Sequence, residues 1–269
     1  MARMTKTAIL GAGAMGESVL AGLIRAGRPL DSLLVGEKRE ARARELTEKH
    51  GIAVVDNVTA AQQADTLVVA VKPQVVAAVL TEVADSLRPG QIVISLAAGV
   101  TIATLEGLVP AGVVVIRVMP NTPALVGAGM SVMSPGSAAT DDALAEAESL
   151  LSACGRVLTL PEKQIDAVTA ISGSGPAYVF LVAEALIESG VHLGLPRDVA
   201  TELAVQTLLG SATMLSETGT HPTLLREQVT SPGGTTAAAL GQLEQHGLRA
   251  AFVAATAAAR DRSVELAGS

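Results

Sequence analysis

Between Thr5 and Pro161, short β-branched runs alternate with amphipathic stretches, and this rhythm restricts the possible folds more than any other feature of the chain. The runs are "TAIL" (7–10), "LLV" (33–35), "AVV" (53–55), "TLVVAV" (66–71), "QIVISL" (91–96) and "VVVIRV" (113–118). Segments of helical period, such as "MGESVLAGLIRAG" and "PQVVAAVLTEVADSL", lie between them. Strand and helix in turn predict βαβ units and a mainly parallel, doubly wound sheet. "GMSVMS" and "RVLTL" extend the strand count, with the helix "DDALAEAESLLSAC" between them and Gly155 as its expected stop.

Beyond Pro161 the strand signals end. Pro176 opens "PAYVFLVAEALIESG", Pro196 opens "PRDVATELAVQTLLGSATML", and a last helix reads "LRAAFVAATAAARDRSVEL". Proline suits a first helical turn, where its missing N–H costs nothing. At 269 residues the chain exceeds one typical core. The change of rhythm therefore predicts an α/β domain over 1–162 and an all-α domain over 163–269.

Composition narrows the partners. A net charge of -7 argues against nucleic acid or an anionic membrane surface. The opening "MARMTKTAIL" shows no signal-peptide pattern, and no uninterrupted apolar run approaches the ~18 residues of a membrane span. A membrane partner is thus not expected. The single cysteine, Cys154, excludes an intrachain disulfide and fits a reducing cytoplasm. His50, His192, His221 and His246 show no metal-ligand spacing, so no metal site is expected. With aromatics at 1%, base-stacking platforms are missing as well.

"AILGAGAMGESVLAGLI" sets Gly11, Gly13 and Gly16 in G-x-G-x-x-G spacing, between a strand and a helix. Such a turn lets backbone approach a pyrophosphate while the helix N-terminus supplies amides and positive dipole. A dinucleotide site on a Rossmann-type domain is the expectation. The second strand ends in "VGEKREARARE". Glu37 lies about 20 residues past the last glycine, where an acid grips the ribose diol of NAD. Lys38, Arg39 and, one turn on, Arg42 offer a grip for a 2′-phosphate instead. The reading favours NADPH and leaves NADH open. "AVKPQ" brings Ala70, Val71, Lys72 and Pro73 to the end of the fourth strand, and "SLAAGVT" brings Ala97, Ala98 and Gly99 to the end of the fifth. Ligands of open α/β sheets sit at these carboxyl ends.

"TSPGGTT", Thr230 to Thr236, interrupts the helical half with two glycines and a proline. The amides of Gly233, Gly234, Thr235 and Thr236 lead into "TTAAALGQLE" and would form an anion nest at a helix N-terminus. Taken alone, the stretch reads equally as an interhelical turn with threonine caps. "SGSGP", Ser172 to Pro176, reads as a second kink or as close helix packing through small residues.

"ILGAGAMG", "AVKP", "AAGVT", "MPNTPALVGAG", "DAVTAISGSGPAYVF" and "VTSPGGTTAAALGQLE" together resemble the pyrroline-5-carboxylate reductase family, over almost the whole chain. The resemblance implies hydride transfer from NADPH to 1-pyrroline-5-carboxylate, giving L-proline, the last step of proline biosynthesis. It also implies a helical domain that interlocks with a second copy, hence a homodimer, in several cases assembled to a decamer. It carries cofactor contacts to Leu10, Gly11, Ala12, Gly13, Ala14, Met15, Lys38, Asn57, Val71, Lys72 and Ala98. Substrate contacts fall on Glu162, Thr235 and Thr236, with Thr236 as the candidate catalytic hydroxyl. A protonated cyclic imine is already electrophilic, so positioning and water exclusion suffice without an acid–base pair.

Other readings compete. A β-hydroxyacid dehydrogenase would need a lysine base in the helical half, and no lysine occurs between Asp166 and Ser269. A coenzyme F420-dependent NADP reductase would share the N-terminal half but not "SPGGTT". A non-catalytic NADP(H) sensor would need neither turnover nor a substrate site.

Overall fold

The β-branched runs form one eight-stranded sheet, and their near-continuous apolarity follows from its burial on both faces. The computed structural model describes residues 5–267. The strands are β1 (Thr7–Leu10), β2 (Leu33–Gly36), β3 (Ala53–Val55), β4 (Thr66–Val69), β5 (Ile92–Ser95), β6 (Val114–Met119), β7 (Gly129–Pro135) and β8 (Gly155–Thr159). They lie in the order β3-β2-β1-β4-β5-β6-β7-β8. All neighbours are parallel except β6 and β7. Crossover helices α1 (Ala14–Arg25), α2 (Glu40–His50), α3 (Asn57–Gln63), α4 (Pro73–Val83), α5 (Ile102–Glu106) and α6 (Asp141–Ser152) cover both faces. Side chains alternate along each strand. Ile9, Val35, Val68, Ile94 and Ile116 enter one core, while Ala8, Leu10, Leu34, Leu67 and Val93 enter the other.

One expected helix stop is corrected. α6 ends at Ser152, and Gly155 instead opens β8 with φ +143°, its hydrogens facing the backbone of Gly129.

The helical half contains α7 (Ile165–Val168), α8 (Gly175–His192), α9 (Arg197–Thr218), α10 (Pro222–Gln228), α11 (Thr235–Gln245) and α12 (Leu248–Ala267). The helical path into α8 begins before Pro176. Thr169–Gly173 is a π-helical turn, closed by Ser174 N–H donating to Thr169 O at 2.8 Å. Pro176 has no N–H for the carbonyl of Ser172, one turn earlier. Asn121 Nδ2 supplies that hydrogen bond at 3.0 Å, while Asn121 Oδ1 accepts from Met130 N–H at 2.8 Å. "SGSGP" is therefore a widened turn inside a helix rather than a separate kink.

By compactness the chain divides at Ser174/Gly175, within the half expected from residue 163 onward. One unit runs up to Ser174 and takes in the chain again from Ala259; the other is Gly175–Ala258. Side-chain bonds hold both flanking segments to the first unit. Ser263 Oγ donates to Asp166 Oδ1 at 2.7 Å, and Arg117 on β6 holds Glu162.

A further difference concerns apolarity. The helical stretch Glu162–His192 is long and apolar enough to cross a membrane by length and composition, an 18-residue window within it reaching a mean hydropathy of 1.5. Counting uninterrupted apolar residues missed it, because Ser172, Ser174 and Glu184 break the run without lowering its average far.

Candidate functional site

The turn after β1 starts with a steric necessity. Gly11 has φ +89°, and a Cβ there would lie 2.4 Å from Val71 Cγ1. At Gly16 a Cβ would meet Gly11 O at 2.2 Å, so α1 can leave the sheet this closely only with glycine. Gly13 differs: a Cβ there meets nothing within 4 Å, and the space in front of it is open. Gly13 caps α1 without a side-chain bond, and the amides of Ala14, Met15 and Gly16 have no partner among the described residues. An open approach to three free amides at a helix N-terminus is an anion site.

Parallel pairing brings the neighbouring loops to the same edge. Gly11 N–H donates to Gly36 O at 3.0 Å, Ala70 N–H to Leu10 O at 2.9 Å and Leu96 N–H to Val69 O at 3.0 Å. A cleft of about 770 Å³ opens there. Of the expected cofactor residues, Gly11, Gly13, Lys38, Arg39, Asn57, Ala70, Val71 and Lys72 line it. Leu10, Ala12 and Ala97 are buried behind it in the sheet layer. Ala14 and Met15 form the first turn of α1, Pro73 that of α4, and Ala98 and Gly99 the loop after β5. None of these five lines the cleft.

Sequence reasoning missed one wall. Val75, Ala78, Val79 and Glu82 line the cleft from α4, at i, i+3, i+4 and i+7. That spacing is one helix face and was the available signal.

The "EKR" run is resolved into ion pairs. Glu37 Oε1 accepts from Arg39 N–H at 2.9 Å and Arg39 Nε at 3.0 Å, and Oε2 accepts from Arg39 Nη2 at 2.9 Å. The Arg39 guanidinium holds the Glu37 carboxyl below its usual range, against the opposing effect of burial. Lys38 Nζ pairs with Glu82 Oε2 at 2.8 Å. Arg42 is corrected as a phosphate ligand: it donates to Ala12 O at 2.9 Å and pairs with Glu17 and Glu45, outside the cleft.

The "TSPGGTT" loop lies in the unit Gly175–Ala258. Gly234 N–H donates to Ser231 O at 3.1 Å, so this amide closes a turn and leaves the expected set of four. Positive φ occurs at Gly233 alone, at +68°. Gly234 caps α11, and the amides of Thr235, Thr236 and Ala237 have no partner among the described residues. Glu162 lies in the other unit and is engaged internally. Its Oε1 accepts from Ile102 N–H at 2.7 Å and Arg117 Nη1 at 2.8 Å. No group of three or more metal-ligating side chains occurs among the described residues.

A doubly wound sheet with free amides and glycine space at its carboxyl edge defines a dinucleotide-dependent oxidoreductase domain. Residues 6–99 match the family model of NADP oxidoreductase, coenzyme F420-dependent, and residues 162–266 match that of pyrroline-5-carboxylate reductase dimerisation. A pyrroline-5-carboxylate reductase from Corynebacterium melassecola is 47% identical, covering 98% of this chain and 99% of its own. The solved pyrroline-5-carboxylate reductase of Coxiella burnetii superposes with a TM-score of 0.94 at 38% identity, over 98% of this chain and 99% of its own. A Plasmodium falciparum pyrroline carboxylate reductase, solved with NADP bound, gives 0.86 at 30% identity over 98% of each chain. The chain belongs to the pyrroline-5-carboxylate reductase family.

Proposed function

We propose that the chain reduces 1-pyrroline-5-carboxylate to L-proline with NADPH, NADH serving as the weaker donor. The observation that carries this reading is the pair of uncapped helix N-termini, at α1 and α11, in a chain of this family. Bound NADPH supplies the hydride for the C=N carbon. Gly11, Gly13 and the free amides of α1 hold its pyrophosphate, a fit supported by the open space before Gly13. Lys38 and Arg39 face the adenosine end, and Val71, Lys72, Ala98 and Gly99 lead toward the nicotinamide. Thr235 and Thr236 amides hold the substrate carboxylate, and the half-buried Thr236 hydroxyl hydrogen-bonds the ring nitrogen. Glu162 joins the substrate contacts only if its second oxygen, Oε2, is available to the ligand.

Purified chain mixed with NADPH and 1-pyrroline-5-carboxylate should bleach the nicotinamide absorbance and form proline stoichiometrically. Cofactor binding without turnover would support the sensor reading instead. The functional form is a homodimer, with a decamer as the larger assembly the family resemblance implies. Its support is the Gly175–Ala258 unit, in which Ala200 and Ala204 alone are buried among the described residues. An active monomer in analytical sedimentation counts against this. A cytoplasmic setting fits the single buried cysteine, and recovery of the protein in the membrane fraction of lysed cells counts against it.

A further inference from the structure

We infer that Glu82 is a specificity-determining residue of the cofactor cleft, competing with the 2′-phosphate of NADPH for Lys38. The inference rests on the reading of this cleft as the NADPH site. Lys38 and Arg39, the two cations that follow β2, are each paired with a carboxylate of the same lining, Glu82 and Glu37, while Lys72, the third cation of the lining, stands at the start of α4. A 2′-phosphate brings close to two negative charges and must take a cation from a carboxylate to bind.

The two pairs are not equivalent. Arg39 is tied to Glu37 by three hydrogen bonds, one from its own backbone, and the Glu37 side chain is only 6% exposed. Lys38 meets Glu82 through one contact, with side-chain exposures of 64% and 28%. Lys38 is therefore the cation released at lower cost, and Glu82 is the group it must leave. Released from Lys38, Glu82 keeps the hydrogen bond from Asn57 Nδ2 to Oε2 at 3.2 Å but has no cation between it and the incoming phosphate. Lys38 and then Asn57 hold the Glu82 carboxyl below its usual range, so it is ionised at neutral pH. NADH has a hydroxyl at the same position and needs neither cation. Glu82 thus narrows the preference for NADPH over NADH without touching the reacting atoms.

Glu82→Gln removes the charge and keeps an acceptor for Asn57, so the fold is left in place. The test is calorimetric titration of the full chain with NADPH and with NADH, without substrate. NADPH should bind at least about fivefold tighter to Glu82→Gln, from a freed cation and a lost like charge, while NADH changes by less than about twofold. In Lys38→Met/Glu82→Gln the gain measured against Lys38→Met should shrink to the part that the lost like charge supplies. Unchanged or weaker NADPH binding, a gain shared by NADH, or a gain that is undiminished in the Lys38→Met background overturns the inference. If the wild type binds neither nucleotide, the reading of the cleft fails as well; if it binds both and Glu82→Gln changes nothing, only the role of Glu82 fails.

Discussion

Replacing Glu162 separates two roles for one carboxylate. The family resemblance makes it a substrate contact, whereas its geometry makes it the counter-ion of Arg117. That guanidinium sits on a central strand with its side chain only 6% exposed, and no other carboxylate pairs with it among the described residues. Glu162 Oε1 also caps Ile102 N–H at the start of α5. Truncating one partner of a buried pair costs about 3–5 kcal/mol, because the other charge is stranded. The Glu162 side chain is 32% exposed, so water reaches the gap and the lower end applies. Glu162→Ala should therefore cost about 3 kcal/mol, a large share of the ~5–15 kcal/mol that stabilises a typical protein. Glu162→Gln keeps one acceptor and should cost about 1–2 kcal/mol. Urea unfolding followed by far-ultraviolet circular dichroism measures both, at one fixed protein concentration because the proposed dimer couples stability to mass action. A loss below about 0.5 kcal/mol in Glu162→Ala, with a raised KM for the imine, would refute the structural role and favour the substrate contact.

Four further outcomes are expected. Gly13→Ala should leave the urea midpoint unchanged, since its φ is −72° and its Cβ meets nothing, yet weaken NADPH by roughly 1–3 kcal/mol through crowding at the pyrophosphate; equal losses in both assays contradict the site. Hydrogen bonds from Lys49 and His50, with Arg42, lower the Glu17 carboxyl from 4.5 to about 2. Its folded value is the depressed one, so the stability gap between wild type and Glu17→Gln should be full above pH ~4.5 and close as pH falls toward ~2; a gap independent of pH excludes this linkage. Gly234→Val places a Cβ 2.4 Å from Ser231 Oγ and should abolish imine turnover while calorimetric NADPH binding survives. Thr236→Ala should cost only ~0.5–1.5 kcal/mol in kcat/KM if the hydroxyl positions the ring, and a far larger loss in kcat assigns it to the proton path.

The strands were legible because each is a local run buried on both faces, and the glycine turn because its spacing states its geometry. Partners distant in sequence were not. Arg42 reads as a phosphate ligand until Glu17, 25 residues earlier, is seen to hold it. The widened turn at Thr169–Gly173 depends on Asn121, 51 residues away, which satisfies a carbonyl that Pro176 leaves bare. Nothing in the sequence singles out Glu82. The spacing of Val75, Ala78, Val79 and Glu82 marks one face of α4, but that this face lines the cleft is seen only in the folded chain. At "TSPGGTT" the sequence offers both an anion nest and a turn with threonine caps, and which amides are free depends on the turn bond to Ser231, a detail of backbone geometry.

The same dependence on a partner governs the apolar helices. Phe180, Leu181, Leu193, Leu209 and Val253 are exposed in the isolated chain, too many to leave in water. A bilayer and a second subunit would each cover such a surface, and the charges distinguish them. Glu184 and Glu188 are both exposed on α8, one turn apart on the same face of the most apolar helix. In hydrocarbon an acidic residue near the middle of a span costs roughly 2.5–3.5 kcal/mol. At the rim of a protein interface both carboxylates keep their water while the apolar faces on either side close against another chain. The match of residues 162–266 to a dimerisation domain points the same way. The two carboxylates of this helix are therefore less costly at the rim of a protein interface than in hydrocarbon.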